Sequence, residues 1–367
     1  MGKTQNNAHK RLTLPFDFSI FAAGVAPTSR IGYTRNLSYS LSALSAEIPV
    51  SVSSLPPAIW AKIIHHRMLR KISGYLVYLL VRVLFCVVQS LSLEAGKTFA
   101  SGLAFCFARI LPIRRRLLRD NLRIAFPDIN DAECRNVIRQ MWKHLFLMGI
   151  EVALARRKIR DFNWTDHIQL VNAEPLLSLL HQDRPVILAT GHFGNFEIGG
   201  FSLGVLTYPS HSVARTLDNP YLNRFIKQFR ESTGQYLISK NGGAPEIVRT
   251  LEQGGLMAFL VDQSAGHKGC IVNFFDKPAS TFKAIAVLAL QFNAPIVVCY
   301  PLRQQDASGQ FQMLHFDMHI TEILDPLHLP PEIQNVKEIT QWFTHALESG
   351  IRTCPEQYWW LHRRWKQ

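Results

Sequence analysis

The sequence lacks the cysteine spacing of a zinc-binding or disulfide-linked protein. Its six cysteines stand singly along 367 residues, and none forms a Cys-x-x-Cys pair. Several lie in apolar runs, which favours reduced core residues facing a cytosolic environment over a disulfide or zinc framework. An internal repeat and a glycine-rich phosphate-binding loop are also missing, so neither a repeat architecture nor a phosphate-loop enzyme is indicated. The cysteines are Cys86, Cys106, Cys134, Cys270, Cys299 and Cys354.

Charged residues are scarce, and negative charge is the scarcer kind. They make up 18% of the chain against 47% hydrophobic residues, which favours a membrane-associated protein, and the formal net charge is +13. Such an excess fits an anionic partner, either a nucleic acid, an anionic membrane surface, a phosphorylated lipid or an acidic carrier protein. No nucleic-acid-binding motif accompanies the charge, so we expect no nucleic-acid partner. A solvated basic surface, or the positive flanks of a membrane helix, would account for the same excess.

Residues 1–66 are predicted to be a disordered or non-native leader. Serine-rich stretches at residues 38–42 and 51–54 are closed by Pro56 and Pro57. The compact charged, apolar and cleavage regions of a signal peptide are not recognisable here. Met68 is an alternative start of translation, which an intact-mass measurement on the native protein would test.

Residues 67–95 are predicted to form a membrane-anchoring helix. The strongly apolar side chains from Leu76 to Val88 contribute about −3 to −6 kcal/mol to insertion, against about +2.5 to +3.5 kcal/mol for Arg82. Basic residues flank both ends, so a single span and a helix lying in the membrane interface both remain open. A buried helix of a soluble protein is the third alternative. The remainder, residues 96–367, is assigned to one folded domain.

Along that remainder, short apolar runs alternate with helical stretches. Residues 113–142 are predicted to form two helices, the first ended by Pro127 and the second opened near Asp131. The alternation predicts an α/β fold, with a central mostly parallel or mixed sheet flanked by helices and preceded by the membrane-associated helix. The predicted strands are residues 185–190, 256–261 and 295–300, and the predicted helices between them are residues 219–233, 245–253 and 282–292.

Polar residues follow two of the predicted strands. His192 and Glu197 come after the first, and Asp262 with Gln263 after the second, where ligands of open α/β sheets bind. On one continuous helix His192 and Glu197 would point about 140° apart. They can meet if His192 lies in the loop and Glu197 in the first helical turn, a bend that Gly191 and Gly194 permit.

In that arrangement Glu197 would accept a hydrogen bond from one imidazole nitrogen of His192. The other nitrogen could then remove a hydroxyl proton, which is general-base catalysis. A satisfied histidine beside a helix-dipole glutamate is the plainer alternative. A zinc site is less favoured, because no second histidine stands at ligand spacing nearby.

Residues 191–197, Gly-His-Phe-Gly-Asn-Phe-Glu, resemble the first motif of the lysophospholipid acyltransferase superfamily, whose His-x4-Asp/Glu pair is the catalytic dyad. Further segments resemble the bacterial lipid A biosynthesis lauroyl/myristoyl acyltransferases, in order, over residues 68–367. The ending at residues 355–366 is the most specific of them. The other matching segments are residues 121–127, 215–223 with Arg230, 260–263, 273–275 and 278–281.

The resemblance implies acylation of a hydroxyl on a lipid A precursor or related glycolipid, an anionic acceptor, at the cytoplasmic face of the bacterial inner membrane. The acyl donor would be acyl carrier protein or acyl-CoA, and no metal or organic cofactor is needed. Residues 96–367 would be the catalytic domain. The implied catalytic residues are His192, Glu197, Arg230 and Asp262, and the implied substrate-binding residues are Arg215, Asn195, Gly194 and Gln263.

Roles beyond the dyad stay open. Arg230 could hold a phosphate or the developing oxyanion, or be a surface helix arginine, and Asp262 could orient Arg230 or cap the sheet edge. A lysophospholipid or other polar lipid is an alternative acceptor, and a non-catalytic lipid-binding scaffold is an alternative function. Basic clusters at residues 114–123 and 362–364 fit anionic head groups, a phosphorylated sugar or the carrier protein, or simply juxtamembrane charge.

Overall fold

The computed structural model describes residues 57–111 and 113–365. The first helix, α1, runs from Pro57 to Ser90, so it begins before the predicted start near residue 67. Most of the predicted leader, residues 1–56, lies outside the described residues. Residues Ser73–Gln367 form one compact unit.

Helix α1 turns a large apolar surface outward. Its segment Met68–Ser90 has 23 residues with a mean hydropathy of 1.9, only 6% of them buried, which is long and apolar enough to cross a membrane. Leu80 is 69% exposed, and Cys86 is exposed rather than in the core as expected, because it shares this outward surface. The last turn docks on the domain, where Val88 is buried and Gln89 Nε2 donates to Ala153 O at 2.8 Å.

The chain breaks between helices where the sequence predicts. Pro127 follows α3, and Asn130 caps the N-terminus of α4 in a reciprocal pair with Glu133. A π-helix, Cys106–Ile110, continues from α2. The helices after α1 are α2 (Leu93–Phe105), α3 (Arg115–Ala125), α4 (Asp131–Lys158), α5 (Glu174–Leu180), α6 (Phe196–Val205), α7 (Pro220–Glu231), α8 (Ala244–Glu252), α9 (Ala284–Phe292) and α10 (Val336–Thr353).

A seven-stranded sheet in the order β1-β9-β8-β2-β5-β3-β4 forms the centre, and β6 pairs with β7 in a separate hairpin. All pairs within the large sheet are parallel except β8 with β9. The predicted α/β class with a mixed, mostly parallel sheet is therefore confirmed. The strands are β1 (Ile168–Val171), β2 (Val186–Thr190), β3 (Ser210–Ala214), β4 (Gln235–Ser239), β5 (Leu256–Leu260), β6 (Cys270–Phe274), β7 (Lys277–Thr281), β8 (Ile296–Gln305) and β9 (Phe311–Leu324).

Strand β2 lies in the middle of the sheet and is covered on both faces. Ile187 and Ala189 join the core formed with α3, α4, α9 and α10. Val186 and Leu188 point the other way, into a core that includes Leu176 of α5. Burial on both faces explains the unbroken apolar sequence of this strand. It also gives the loop that follows β2 a rigid base.

Candidate active site

The ends of β2 and β5 bring His192 and Asp262 together. The strands pair in parallel with Thr190 opposite Leu260, and Val261 N donates to Thr190 O at 2.8 Å. The next residues of both strands therefore leave the sheet side by side at its carboxyl edge. This convergence of His192 with Asp262 is the one that the strand pattern predicts.

Asp262 holds the backbone and the ring of His192 with its two carboxylate oxygens. Oδ2 accepts from His192 N at 2.9 Å, and Oδ1 lies 2.9 Å from His192 Nδ1. Gly191 permits this approach, because a Cβ there would lie 3.3 Å from Asp262 Cγ and 2.8 Å from a methyl of Leu347. The ring is therefore fixed by a buried carboxylate from the neighbouring strand.

The expected hydrogen bond between Glu197 and His192 is replaced by a different pairing. Arg230 Nε donates to Glu197 Oε2 at 2.9 Å, and the Arg230 Nη2 atom pairs with the other carboxylate oxygen. Glu197 does lie in the first turn of α6 as predicted, but from there its carboxylate meets the last turn of α7. Asp262 instead orients His192 at Nδ1. The hydrogen bonds of Arg230 go to Glu197, so the alternative in which Asp262 orients Arg230 is not what the structure shows.

The other imidazole nitrogen faces a small set of polar and aromatic groups. Gln263 Nε2 lies 3.2 Å from His192 Nε2 and 3.3 Å from His362 Nε2. Ring centroids of Phe196, Trp359 and His362 are 5.1, 5.6 and 4.7 Å from that of His192. An amide that donates to Nε2 and a carboxylate at Nδ1 together select the tautomer with the proton on Nδ1.

Charge near the ring sets its basicity. Burial by itself lowers the pKa of His192, but the Asp262 carboxylate and, less strongly, the Glu197 charge raise this pKa above its ordinary value. Burial raises the pKa of Asp262, and the nearby histidines and their hydrogen bonds overcome this and lower it to about 2. Burial lowers the pKa of His362 to about 4. Around the ring the site thus combines the ionised Asp262 carboxylate with one basic histidine, His192, and one neutral histidine, His362.

No part of the described chain offers a group of three or more His, Cys, Asp or Glu side chains arranged to hold a metal ion. His192 instead has the surroundings of a general base. It has one nitrogen tied to a carboxylate and one facing a partly exposed cleft, with a side chain that is 12% exposed.

Gly194 and Asn195, expected to bind substrate, are buried beneath the loop. Gly194 has φ +60°, and a Cβ there would lie 1.7 Å from Pro301 O. Asn195 is fully buried, its Oδ1 accepts from Ile198 N, and its Nδ2 donates to Glu151 Oε2 at 2.8 Å. In the structure both residues support the His192 loop, and their expected contact with substrate stays a prediction.

A buried polar cluster lies below the same loop. Arg303 donates to Glu151 through Nε at 2.7 Å and through Nη2, and both side chains are completely buried. His144 joins them, with Nε2 3.2 Å from Gly194 O. Burial, and then the Arg303 charge, hold the pKa of His144 well below its ordinary value, so it is neutral. The cluster ties α4 and β8 to the loop that carries His192.

The C-terminal segment closes the site, and sequence reasoning did not assign its side chains. Trp359 N donates to His192 O, and Gly194 N donates to Gln357 O, both at 3.0 Å. Asn121 Nδ2 anchors the segment by donating to Trp360 O and His362 O at 2.7 Å. His362 and Trp359 thus belong to the site, although the only sequence signal for them is the family-like ending at residues 355–366.

The two expected basic clusters divide into buried and exposed parts. Arg364 is only 2% exposed and donates to Ser280 O and Thr281 Oγ1, whereas its neighbour Arg363 is exposed. Arg215 forms no part of the wall around His192; its exposed side chain faces Asp218 at 3.7 Å. Arg116 is 97% exposed. Arg116, Arg215 and Arg363 are thus among the exposed cations of the described chain that an anionic partner could contact.

Comparisons with known proteins agree with the motifs. A model of the bacterial lipid A biosynthesis acyltransferase family matches residues 63–367. The chain is 24% identical over 299 residues to the lipid A biosynthesis lauroyltransferase of Escherichia coli, covering 80% of this chain and 92% of that protein. It is 26% identical over 259 residues to the lipid A biosynthesis palmitoleoyltransferase of the same species, covering 69% and 79%. It is 22% identical over 204 residues to a phosphatidylinositol mannoside acyltransferase of Mycolicibacterium smegmatis, covering 54% and 63%.

Proposed function

The chain belongs to the bacterial lipid A biosynthesis acyltransferase family and is an acyltransferase, and we propose that it transfers a fatty acyl chain from an acyl thioester to a hydroxyl of a lipid A precursor. The observation that carries the mechanism is the pairing of His192 Nδ1 with Asp262 at 2.9 Å. It leaves Nε2, which faces the Gln263 amide at 3.2 Å, as the unprotonated basic nitrogen of a ring held at one orientation. This is the arrangement that general-base catalysis on a hydroxyl requires.

In the proposed reaction, Nε2 of His192 removes the proton of the acceptor hydroxyl. The oxygen attacks the thioester carbonyl and forms a tetrahedral intermediate. The carbon–sulfur bond then breaks, the ester remains on the acceptor, and the imidazolium returns its proton to the leaving thiolate. Asp262 stabilises the imidazolium while it exists, because it stays ionised with a pKa of about 2.

Arg230 is proposed to stabilise negative charge in this reaction. Glu197 grips Arg230 through Nε and Nη2, while its Nη1 makes no hydrogen bond among the described residues. A guanidinium held in this way is preorganised to donate to the developing oxyanion or to a phosphate of the acceptor. The five-residue spacing of His192 and Glu197 would then serve two separate pairs, His192 with Asp262 and Glu197 with Arg230.

The net charge of the chain supports the proposed acyl donor, and the apolar helix α1 supports the proposed location. The proposed donor carrier is an acyl carrier protein, whose acidic surface suits the net charge of +13, as the phosphates of coenzyme A also do. Residues 67–95 are proposed to anchor the catalytic domain, residues 96–367, at the cytoplasmic side of the inner membrane. Assays with both thioesters would separate the donors, since equal kcat/KM values would contradict the carrier-protein preference.

Replacement of His192 tests the mechanism. We expect His192→Ala to abolish acyl transfer by the purified protein, because no other described group takes the place of Nε2. The matched control is His345→Ala, at an exposed position of α10, which should keep full activity. Thermal unfolding of both variants verifies that they fold. Full turnover by His192→Ala would remove this residue from the mechanism.

The acceptor is tested in the cell. Deletion of the gene should remove one acyl chain from lipid A, as seen by mass spectrometry of extracted lipids, and the wild-type gene should restore it. Unchanged lipid A with altered phospholipids or other glycolipids would favour the alternative acceptor class, to which the similarity with a phosphatidylinositol mannoside acyltransferase also points. Unchanged lipids throughout would favour the non-catalytic scaffold.

A further inference from the structure

Helix α2 buries its small residues and exposes its large apolar ones, which is the reverse of a typical helix in a water-soluble protein. The buried residues are Gly96, Ala100 and Ala104, whereas Phe99 and Phe105 are 44% and 55% exposed. The small residues let α2 lie close to α4, where a Cβ on Gly96 would be 3.6 Å from Ile150 Cγ2. Small residues towards the protein and large apolar ones outward are typical of a helix that faces lipid.

The exposed apolar surface continues past the end of α2. Ile110, Leu111 and Ile113 are 64%, 44% and 41% exposed. The π-helix between them is held to the protein by Phe107, whose ring lies 5.1 Å from Trp142. We call the set Phe99, Phe105, Ile110, Leu111 and Ile113 the apolar patch. Contiguous exposed apolar surface of this kind marks an interaction site.

Charge around the apolar patch identifies the partner. Between Glu94 and Asp120 the sequence contains no acidic residue, and Arg109 and Arg116 are exposed beside the patch. Apolar side chains with arginines at their border fit an anionic lipid surface, with the apolar groups below the head groups and the cations among them. The patch also follows α1 closely along the chain, since α2 begins at Leu93 just after α1 ends at Ser90.

We propose that the apolar patch is a second membrane contact, which inserts into the head-group region of an anionic bilayer and brings the mouth of the active site to the membrane. Arg114 links the two regions, because its Nη1 donates to Leu361 O at 2.7 Å. The next residue, His362, has its ring 4.7 Å from that of His192. A lipid acceptor would therefore reach Nε2 from the bilayer surface. The inference rests on the proposed anchoring of α1 in a membrane.

Photolabelling of the full chain tests this contact. The protein is reconstituted in vesicles of phosphatidylethanolamine and phosphatidylglycerol, irradiated with a lipid-soluble diazirine, and digested for mass spectrometry. We expect adducts on Leu80 and Leu84 of α1 and on Phe105 and Ile110. Leu327 is the control, because it is 52% exposed but follows β9 near Arg184, at the opposite edge of the sheet.

The outcomes separate this inference from the proposed function. Label on α1 without label on the apolar patch would overturn the second contact, and so would a cross-linked dimer that protects the patch. Label on both in a chain without acyltransferase activity would overturn the function and leave the contact standing. An unlabelled α1 would overturn the anchoring and the contact together.

A substitution within the apolar patch provides an independent readout. Ile110→Glu should raise the apparent KM for acceptor in vesicles by about tenfold, with kcat for acceptor in detergent micelles unchanged. Leu327→Glu should change neither value. An equal KM for Ile110→Glu and wild type in vesicles would contradict the proposal.

Discussion

At the scale of single residues, the position of Asp262 matters most for the chemistry of His192. Its carboxylate is buried and ionised, and it contacts both the backbone and the ring of the histidine. Glu197, five residues along the chain from His192, neutralises Arg230 instead. The two carboxylates of the site therefore differ in role: Asp262 orients His192, and Glu197 pairs with Arg230.

Replacement of Asp262 by asparagine should lower the rate and change its pH dependence. The raised pKa of His192 means that activity is lost as pH falls through a value above the ordinary 6.5, since a protonated imidazole accepts no proton. Asp262→Asn removes the main cause of that rise, so the acidic limb of kcat/KM should move to lower pH. The rate should fall by about 10²–10⁴-fold.

The pH–rate profile of purified enzyme measures both effects. Asp128→Asn, at an exposed position between α3 and α4, is the matched control and should reproduce the wild-type profile. An acidic limb that stays in place in Asp262→Asn would show that another group controls the protonation of His192.

We expect the buried pair of Glu151 and Arg303 to contribute to the free energy of unfolding and to take no direct part in the reaction. Both side chains are fully buried, so Glu151→Ala leaves a buried cation without its partner and should cost about 3–5 kcal/mol. The comparison is Glu94→Ala, which breaks a surface pair with Lys97 whose glutamate is 81% exposed and should cost under about 1 kcal/mol. Denaturant unfolding in detergent measures the two values. Equal costs would contradict the assigned importance of the buried cluster.

At the scale of elements, the loop from β2 to α6 depends on the left-handed backbone of Gly194. Gly194→Ala places a methyl group against Pro301 O, where the calculated separation is 1.7 Å, and must displace the loop and His192. Gly242 has φ +78° with nothing within 4 Å, so Gly242→Ala suffers only the conformational cost of about 1–2 kcal/mol. Activity assays should find Gly194→Ala inactive and Gly242→Ala active. Equal activities would show that the loop adapts.

Several separate elements converge on that same loop. Asn121 of α3 holds the C-terminal segment, and that segment pairs with the loop through Trp359 and Gln357. Arg364 in turn binds the end of β7. The family-like segments that contain Asn121, Thr281 and Trp359 thus contact one another around the His192 loop.

At the scale of the whole molecule, the exposed apolar surface of α1 should keep the chain in a membrane. Its segment Met68–Ser90 has a mean hydropathy of 1.9 with 6% of the residues buried, so exposure of this surface to water is unfavourable. After alkaline carbonate washing, which removes peripheral proteins, the chain should remain in the membrane pellet, and detergent should release it. Release by carbonate alone would favour a helix bound only at the surface.

The sequence by itself determined the elements, the fold class and the reaction class. Short apolar runs such as residues 256–261 predict strands between helices, Pro127 predicts the end of a helix, and the ordered motifs indicate the family. Local pattern also placed His192 in a loop and Glu197 in the first turn of α6. These features depend on neighbours in the chain, which is why the sequence reveals them.

Tertiary structure decided the side-chain pairings that the strand pattern does not predict. Asp262 binds His192 at Nδ1 in place of Glu197, Glu197 pairs with Arg230, and Asn195 Nδ2 donates to Glu151 of α4. His362 reaches the site from a segment that is 170 residues from His192 in the sequence. Pairing in three dimensions depends on strand order, and strand order is set by the packing of the whole sheet rather than by local pattern. The same packing left Phe105 and Ile110 exposed, a feature that the sequence of an apolar helix does not distinguish from burial.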